Sequence, residues 1–299
     1  MTAAHTRVAL LGTGNVGSAV LQRLKRLDDR LELVHVANTR QSSGDLHAAG
    51  VVIDATASEA VADRHAQWLV QGIHVITACK LGQGTSLARW RAIRDATAAS
   101  GACYGDSATV GAGLPLLRSI RALRDGGDRI HGFAGVLSGS LAWLFNAYDG
   151  TRPFSSLVRE AQAAGYTEPD PRDDLSGEDV RRKLLVLARA AGFELEAADV
   201  RVESLADAGE AWLRERLECA RRQHGRLAFV ARLQDGVASI GLEVLDRADP
   251  VAAGQGTDNR VAIHSDRYAV QPLVIQGPGA GADITAAALV DDALAISTR

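Results

Sequence analysis

A glycine-rich turn close to the start of the chain places the strongest constraint on the fold. The sequence RVALLGTGNVGSAVLQRL reads as an apolar strand over residues 8–11, a turn, and a helix with one apolar face. In this context Gly12 allows a tight turn, Gly14 lets the backbone approach a pyrophosphate, and Gly17 lets the helix pack closely on the strand. The pattern favours a dinucleotide site at the helix N-terminus over an ordinary glycine-rich turn. The residues predicted to form it are Gly12, Thr13, Gly14, Asn15, Val16 and Gly17.

Strands and helices continue to alternate through the first third of the chain. Strand-like runs occupy residues 31–37, 51–55, 74–77 and 102–104, and helical stretches occupy 57–71 and 86–100. Such alternation is typical of a parallel sheet with helices on both faces. We therefore expect an α/β protein whose N-terminal domain is a Rossmann-type doubly wound parallel sheet.

The end of the second predicted strand bears on the choice of cofactor. An acidic residue at this point would hold the ribose hydroxyls of NAD. The sequence instead has Asn38, Thr39 and Arg40, and Arg40 is available to meet a 2′-phosphate. The sequence thus favours NADP over NAD, although an arginine in a surface loop is also common.

The regular alternation stops at residue 114, and the following half reads as an α+β domain. Helices are predicted over 116–123, 141–148 and 179–191, a strand in HGFAGVLSG, and a peripheral polar helix within 206–222. RLAFVARL and VASIGLEVL read as a hairpin around Gln234, Asp235 and Gly236, and RVAIHSDRYAV reads as a second hairpin. The final PLVIQGPGAGADITAAALVDDALAI reads as a strand, a glycine turn and a helix that rejoins the first domain. We expect a cofactor domain over 1–115, completed by 275–299, and a second domain over 116–274.

Composition excludes several classes of protein. The 299 residues are 46% hydrophobic with a net charge of -3, as in a globular protein without a basic surface for nucleic acid. The apolar runs are too short to span a membrane and the first residues lack a signal peptide, so we expect a cytoplasmic protein. Cys79, Cys103 and Cys219 have no metal-ligand spacing, and we expect them to be reduced thiols.

Lysine is rare in this chain. Of 33 basic residues only Lys25, Lys80 and Lys183 are lysines, and arginine is the routine surface cation. An amine can give up a proton, which the guanidinium group of arginine cannot do. Each lysine is therefore either required for its chemistry or retained by chance.

The most charged segment is GYTEPDPRDDLSGEDVRRK, residues 165–183. Its two prolines predict an ordered loop over 167–175 and exclude a helix there. Ser176 fits the N-cap of the next helix with Asp179 as its capping-box partner, and Gly192 fits the C-terminal stop. The segment is either a solvated turn or a site.

Helical periodicity separates the charges of this segment into two sets. Lys183 and Asp179 lie one turn apart on the flank of an apolar face, where a paired lysine suits proton transfer. The preceding acids Glu168 and Asp174 could hold the ammonium group of a substrate. The residues expected to face water are Arg172, Glu178, Arg181 and Arg182.

The same segment resembles the signature of the homoserine dehydrogenase family. The resemblance extends in order to VIDATASEAVADRHAQWLVQGIHVITACK, SATVGAGLPLLRSI, GVLSGSLAWLFNAYDG and GPGAGADITAAAL. It implies the reversible reduction of L-aspartate 4-semialdehyde to L-homoserine with NAD(P)H, on the route to threonine, methionine and isoleucine. It also implies a homodimer formed through the second domain, which is then the catalytic and dimerisation domain.

The resemblance assigns roles to individual residues. Lys183 becomes the catalytic amine oriented by Asp179, and Lys80 a second active-site lysine near the nicotinamide. Glu168 binds the amino group of the substrate, with Asp174 and Asp179 also at the substrate. The further cofactor contacts implied are Thr56, Ala78, Lys80 and Gly281. A sodium site, largely of backbone carbonyls, is implied at Ser107, Val110, Ala112 and Leu114.

Several departures from the family pattern affect these expectations. Ala78-Cys79-Lys80 stands where Pro-Asn-Lys is frequent, so an asparagine's hydrogen bonds are missing. Ser107 stands where many members have a glutamate beside the sodium site. The connection over 40–50 is short, and the chain resembles the dehydrogenase half of bifunctional aspartokinase proteins without their kinase and ligand-sensing domains.

Three other functions remain open at this point. A related dehydrogenase could act on another amino acid or amino-aldehyde, because Glu168 and Asp179 indicate an amino substrate but not the length of its carbon chain. A phosphorylating enzyme would need a nucleophilic cysteine, and neither Cys79 nor Cys103 has an evident base beside it. A catalytically inactive NADP-binding regulatory protein would not need both lysines.

Overall fold

A computed structural model of the chain describes residues 5–27 and 29–298. It divides the chain into two units, the first formed by the residues up to Leu117 and from Ala280 onwards, the second by Arg118–Gly279. The expected first domain also includes residues 1–4, 28 and 299, which lie outside the described residues. Among the helices described, none has the length and apolar character needed to cross a membrane.

The first unit contains a six-stranded sheet with the order β3-β2-β1-β4-β5-β6. Its elements are β1 (Thr6–Leu11), α1 (Asn15–Leu24), β2 (Leu31–Ala37), β3 (Ser42–Gly44), β4 (Val51–Asp54), α2 (Glu59–Ala62), α3 (His65–Val70), β5 (His74–Thr77), α4 (Leu87–Ser100) and β6 (Tyr104–Gly105). All neighbours pair in parallel except the short β3, which pairs antiparallel with β2. The predicted doubly wound sheet is confirmed.

Both faces of this sheet are buried, which explains why its strands are apolar throughout. Leu10 and Ile53 point to the face covered by α1, where they pack with Val20. Ala9 and Val52 point to the opposite face and pack in the cluster that includes residues of α3 and α4. The carboxyl ends of the parallel strands are therefore held rigidly, and the loops that follow them start from fixed points.

The stretch 57–71, predicted as one helix, forms the two short helices α2 and α3. Ser58 caps α2, its side chain accepting from the backbone N–H of Val61 at 3.4 Å. Arg64 precedes the second helix, and His65 then enters the interior with no exposed surface. The predicted helix is thus interrupted next to a buried histidine. Helical periodicity in the sequence does not predict the tertiary contacts of that histidine.

The second unit contains a mixed sheet with the order β12-β11-β7-β9-β10-β8. The division between units falls within α5 (Leu116–Asp125). The elements that follow are β7 (Ile130–Val136), α6 (Gly139–Ala147), α7 (Phe154–Ala163), α8 (Pro171–Leu175), α9 (Glu178–Ala191), β8 (Val200–Val202), α10 (Glu210–Arg222), β9 (Arg226–Gln234), β10 (Val237–Leu245), β11 (Asp258–Ser265) and β12 (Leu273–Pro278). Its pairings are antiparallel except that β8 runs parallel to β10. The α6 helix packs on this sheet through Ala142, and α10 packs on β9 and β10.

The first predicted hairpin is present and the second is wrong. Gln234 pairs with Val237 around Asp235 and Gly236, which both have positive φ, as a two-residue hairpin turn requires. The run RVAIHSDRYAV instead gives only β11. That strand ends at Ser265, whose hydroxyl donates to Asp128 at 2.9 Å, and its antiparallel partner is β12.

The C-terminal segment contributes to both units. The expected boundary at residue 275 falls inside β12, whose residues pair with β11 in the second sheet, and the division in the structure comes after Gly279. The last helix, α11 (Ala282–Ser297), packs against α1 in the first unit, with Ala286 and Leu289 buried. The predicted return of this helix to the first unit is confirmed.

Candidate active site

The glycine turn of the first unit leaves no room for side chains at two of its three glycines. Gly12 has a φ of +92°, and a Cβ there would lie 2.8 Å from the carbonyl oxygen of Ala55. A Cβ on Gly17 would lie 2.0 Å from the carbonyl oxygen of Gly12. The chain turns tightly at Gly12, and the helix α1 packs directly on this turn at Gly17, as the sequence predicts.

The third glycine differs because it borders open space. Among the described residues, no heavy atom beyond its two chain neighbours would lie within 4 Å of a Cβ on Gly14, which is the N-cap residue of α1 and supplies no side-chain cap. The first N–H groups of a helix need acceptors from outside it, and the helix dipole favours an anion there. The space beside Gly14 therefore fits a pyrophosphate.

Asn38 shapes the neighbouring loop after β2. Its amide nitrogen donates to Thr13 Oγ1 at 2.9 Å, and its Oδ1 accepts from the backbone N–H of Arg40 at 2.8 Å. Asn38 thus joins the glycine turn to the end of β2 without adding negative charge. The side chain of Arg40 is exposed.

Two further loops follow β4 and β5, neighbouring parallel strands whose carboxyl ends meet at one sheet edge. Thr56 lies in the first loop and donates its hydroxyl to Asp54 at 2.7 Å. Ala78 and Lys80 lie in the second loop, both half-buried. The structure brings these predicted cofactor contacts to the same edge of the first unit.

Cys79 is buried between Ala78 and Lys80. Burial, reinforced by the charge of Asp54, raises the pKa of its thiol to about 11. Backbone hydrogen bonds from Leu81 and Gly82 act weakly in the opposite direction. The thiol is thus protonated near neutral pH, which argues against a nucleophilic cysteine here.

The predicted sodium ligands differ in how they are engaged. The hydroxyl of Ser107 donates to Asp292 at 2.8 Å, so it is committed to α11. The carbonyl of Leu114 accepts from the N–H of Leu116 at 2.8 Å. Within the described ranges, no group of three or more His, Cys, Asp and Glu side chains could hold a metal ion. The proton of the Ser107 hydroxyl is used by Asp292, and the sodium site at Ser107, Val110, Ala112 and Leu114 stays a prediction.

The charged segment of the second unit contains a helix that the prolines were expected to exclude. Pro171 is the first residue of α8, and Asp170 caps that helix by accepting from the N–H of Arg172. Proline is well suited to the first helical position because its φ is already helical and no N–H is needed there. The predicted loop over 167–175 is therefore wrong from residue 171 onwards.

The predicted cap of the next helix is also wrong. Gly177, with a φ of +78°, is the N-cap residue of α9, and Ser176 ends α8 instead. Because α8 occupies the preceding residues, a single left-handed glycine turns the chain from one helix into the next. Asp179 is therefore the second residue of α9 and not the predicted capping-box partner of Ser176. The predicted stop at Gly192 is confirmed, with a φ of +98°.

Lys183 has two acceptors in the second unit. Its ammonium nitrogen lies 2.8 Å from Asp179 Oδ2, one helical turn away, and 2.8 Å from the carbonyl oxygen of Leu137 at the end of β7. The lysine side chain is only 13% exposed, whereas that of Asp179 is 43% exposed. An ammonium group has three protons, so two are fixed by these acceptors and the third can serve a substrate.

Asp174 ties the loop of Glu168 to the same place. Its Oδ1 accepts from Ser140 at 2.6 Å and its Oδ2 accepts from the backbone N–H of Glu168 at 2.8 Å. Ser140 lies in the first turn of α6, three residues after Leu137. The carboxylate of Asp174 is thus committed to the protein, whereas the side chain of Glu168 is exposed. The structure assembles the predicted second-unit residues around the start of α6.

Three of the residues expected to face water, Arg172, Glu178 and Arg181, form local ion pairs. Arg172 contacts Asp170 at 2.6 Å and Arg181 contacts Glu178 at 2.5 Å, each within three positions in sequence. Sequence reasoning missed Leu137 and Ser140. Leu137 acts through its backbone carbonyl, which the identity of a side chain cannot indicate. Ser140 is indicated in the sequence only by the run Ser138-Gly139-Ser140.

Comparisons with known proteins agree on one family. Residues 115–294 match the model of the family described as homoserine dehydrogenase, and residues 12–104 match that of the homoserine dehydrogenase NAD binding domain. The bifunctional aspartokinase/homoserine dehydrogenase 2 of Escherichia coli is 44% identical over 81% of this chain, which spans 32% of that relative. The homoserine dehydrogenase of Emericella nidulans is 30% identical over 98% of both chains.

A solved structure supports the fold over nearly the full length. A hyperthermophilic archaeal homoserine dehydrogenase in complex with NADPH superposes with a TM-score of 0.82 at 17% identity, covering 97% of each chain. The match of residues 12–104 identifies the first unit as an NAD binding domain, and the matched models together account for most of the sequence. The chain belongs to the homoserine dehydrogenase family.

Proposed function

We propose that the chain catalyses the reversible reduction of L-aspartate 4-semialdehyde to L-homoserine with NADPH. The observation that carries this proposal is Lys183, nearly buried and held at 2.8 Å both by Asp179 and by the carbonyl of Leu137. A fixed ammonium group with one remaining proton suits a carbonyl oxygen that gains negative charge. A binding or sensing role needs no such group.

Lys183 has the main chemical role in this proposal. The nicotinamide supplies the hydride when bound. The ammonium of Lys183 stabilises the oxygen of the semialdehyde as charge develops and then donates a proton to it. Asp179 and the Leu137 carbonyl fix the direction of the ammonium group, so little reorganisation is needed during the reaction. In the reverse direction Lys183 accepts the proton from the hydroxyl of homoserine.

Recognition of the amino-acid end is assigned to Glu168. Its exposed carboxylate is available to an ammonium group, and the backbone N–H of the same residue is anchored by Asp174. Because both oxygens of Asp174 have protein partners, we assign it to holding Glu168 in place. Asp174 therefore contributes to substrate affinity indirectly.

The first unit supplies the cofactor site. The open space at Gly14 and the uncapped start of α1 fit the pyrophosphate, and Thr56, Ala78 and Gly281 are the proposed contacts near the nicotinamide. We propose NADP as the preferred cofactor because Asn38 brings no carboxylate and Arg40 is exposed beside it. The NADPH complex of the archaeal relative is consistent with this preference.

Three further assignments complete the proposal. Lys80 is the second lysine, acting from the loop after β5. A sodium ion would be held mainly by the carbonyls of Val110, Ala112 and Leu114, with Ser107 beside them. The functional form is a homodimer joined through the second unit.

Replacement of Lys183 tests the proposal directly. Lys183→Ala removes the proton donor, so we expect kcat for homoserine oxidation to fall by about a thousandfold, within the usual range for loss of a general acid or base. The affinity for NADPH, measured by fluorescence titration, should stay nearly unchanged. Lys25→Ala, at an exposed position, is the control and should retain full activity. Turnover retained by Lys183→Ala would exclude the assigned role.

A further inference from the structure

A fully buried carboxylate lies beside the proposed cofactor loops. Asp54, the last residue of β4, has no exposed surface. Its Oδ1 accepts from the backbone N–H of Thr56 at 2.9 Å and from the hydroxyl of Thr56 at 2.7 Å. Its Oδ2 is 3.1 Å from His65 Nε2 and accepts from the Thr77 hydroxyl at 3.1 Å. Each oxygen thus has two donors, which fully satisfies an ionised carboxylate.

The orientation of His65 follows from this carboxylate. Because an ionised carboxylate only accepts hydrogen bonds, the proton of the imidazole lies on Nε2. The other nitrogen, Nδ1, lies 3.0 Å from the hydroxyl oxygen of Tyr104 and accepts its proton when the ring is neutral. His65 also has no exposed surface. Asp54, His65 and the half-buried Tyr104 therefore form one hydrogen-bonded chain, which we call the Asp54 network.

The Asp54 network contacts both loops at the edge of the sheet. In the loop after β4 it fixes Thr56 through two hydrogen bonds. At the start of the loop after β5, Thr77 links Asp54 to Cys79. Its hydroxyl donates to Asp54 and accepts from the N–H of Cys79 at 2.8 Å. The position immediately before Lys80 is thus tied to Asp54.

The chain that follows Lys80 contacts the Asp54 network at Tyr104 and His65. A Cβ added to Gly82 would lie 2.4 Å from the Tyr104 hydroxyl and 3.1 Å from His65 Nδ1. The backbone at Gly82 therefore touches the Tyr104–His65 pair directly. Restraints at positions 79 and 82 bracket Lys80, so the network fixes the backbone from which this lysine projects.

Stability alone does not account for such an arrangement. A buried carboxylate–imidazole pair adds little net stability compared with apolar residues of the same volume. It does fix geometry, because each partner becomes costly to misplace once desolvated. A cofactor contact such as Thr56 and a lysine such as Lys80 need fixed geometry in a dehydrogenase. Misplacing a reacting or positioning group by about 1 Å can lower the reaction rate about a hundredfold.

We infer that Asp54, His65 and Tyr104 are positioning residues that hold Thr56 and Lys80 in the geometry needed for nicotinamide binding and turnover. The inference rests on the proposed function for its effect on turnover. It extends that function by assigning a role to three side chains that the proposed reaction does not otherwise use.

Two substitutions test the inference at different strengths. Tyr104→Phe removes one hydroxyl and leaves the ring, so we expect kcat/KM for homoserine oxidation to fall by about five- to tenfold, the effect of one lost hydrogen bond. Asp54→Asn keeps the shape but places an amide against donors, and we expect a loss of about a hundredfold. Tyr148→Phe, which removes a hydroxyl bonded to Glu210 in the second unit, should leave kcat/KM unchanged.

Amide hydrogen exchange separates positioning from general stability. Positioning predicts that exchange at residues 77–84 and at Thr56 rises in both variants while exchange in β1 stays as in the wild type. The NADPH dissociation constant should rise in parallel. A uniform rise in exchange across the first unit, or unchanged turnover and affinity in folded variants, would overturn the inference.

The two proposals fail in different ways. If the wild-type protein does not oxidise homoserine, the proposed function is lost. The NADPH dissociation constants and the local exchange of the Tyr104→Phe and Asp54→Asn variants still decide whether the network positions the loops. If the wild type is active and Tyr104→Phe and Asp54→Asn match it in both measurements, only the positioning role is lost.

Discussion

The two units present their functional groups by different means. In the first unit the turn at Gly12 and Gly17 is defined by backbone shape, and the start of α1 offers uncapped N–H groups. In the second unit the site consists of charged side chains, with Lys183 held by Asp179 and by a carbonyl oxygen. A site made of backbone is sensitive to added volume, whereas a site made of charges is sensitive to the loss of a proton or a charge. The difference predicts separable effects of substitution on cofactor affinity and on turnover.

The second unit should respond most strongly to loss of charge. Asp179→Asn keeps the volume but removes the charge that orients Lys183, so we expect kcat for homoserine oxidation to fall by about a hundredfold or more. NADPH affinity should not change, because the glycine turn lies in the other unit. Asp173→Asn, at an exposed position of α8, is the control for a neutralised acid nearby. An unchanged kcat for Asp179→Asn would remove the orienting role.

The first unit should respond to volume, and its glycines should respond differently from one another. Gly14→Ala adds a methyl group where the protein leaves open space, so the variant should fold normally but bind NADPH about tenfold to a hundredfold more weakly. Gly17→Ala forces its Cβ onto the carbonyl of Gly12 and should lower the melting temperature of the unit as well. Calorimetry and NADPH titration of the two variants provide the comparison. Equal melting temperatures would contradict it.

The buried thiol between Ala78 and Lys80 predicts a specific pH dependence of stability. Burial raises the pKa of Cys79 from 9.0 to about 11 in the folded protein. The folded protein then keeps a proton that the unfolded chain releases, so stability is complete below pH 9 and falls as pH rises towards 11. The loss attributable to Cys79 is on the order of 2 kcal/mol.

Urea unfolding of wild type and Cys79→Ala at several pH values measures this effect. The alanine variant removes the thiol, so its unfolding free energy should decline less steeply between pH 9 and pH 11. Parallel slopes for the two proteins would show that the thiol does not contribute.

The smallest effect concerns cofactor choice. Arg40→Ala should lower the ratio of kcat/KM for NADP to that for NAD by about tenfold, as expected for one lost charge-assisted contact at an exposed site. Turnover at saturating cofactor should stay constant. Arg30→Ala, another exposed arginine of the first unit, should leave the ratio unchanged. A constant ratio in Arg40→Ala would assign the preference to other residues.

The features that sequence predicted well are those encoded locally. The strand, turn and helix around Gly12 follow from neighbouring residues. The pairing of Asp179 with Lys183 follows from helical periodicity alone, and the structure shows it at 2.8 Å. Both depend on contacts within a few residues along the chain.

The features that sequence missed depend on context or on distant residues. Proline's tendency to break helices predicts a loop at Pro171, but at the first position of α8 this proline begins a helix. The carbonyl of Leu137 meets Lys183 across 46 positions, and His65 meets Tyr104 across 39. Periodicity cannot report such contacts, because the topology of each sheet brings the partners together. The expected boundary at residue 275 assigns part of β12 to the first domain for the same reason. The pairing of β12 with β11 in the second sheet depends on residues distant in sequence.

The most direct test of the account is homoserine oxidation by the wild-type protein. Nicotinamide absorbance would be followed with NADP and with NAD in parallel assays at equal concentration. We expect an increase in absorbance that depends on homoserine and is faster with NADP. No homoserine-dependent signal with either cofactor, from a protein that binds NADPH, would contradict it.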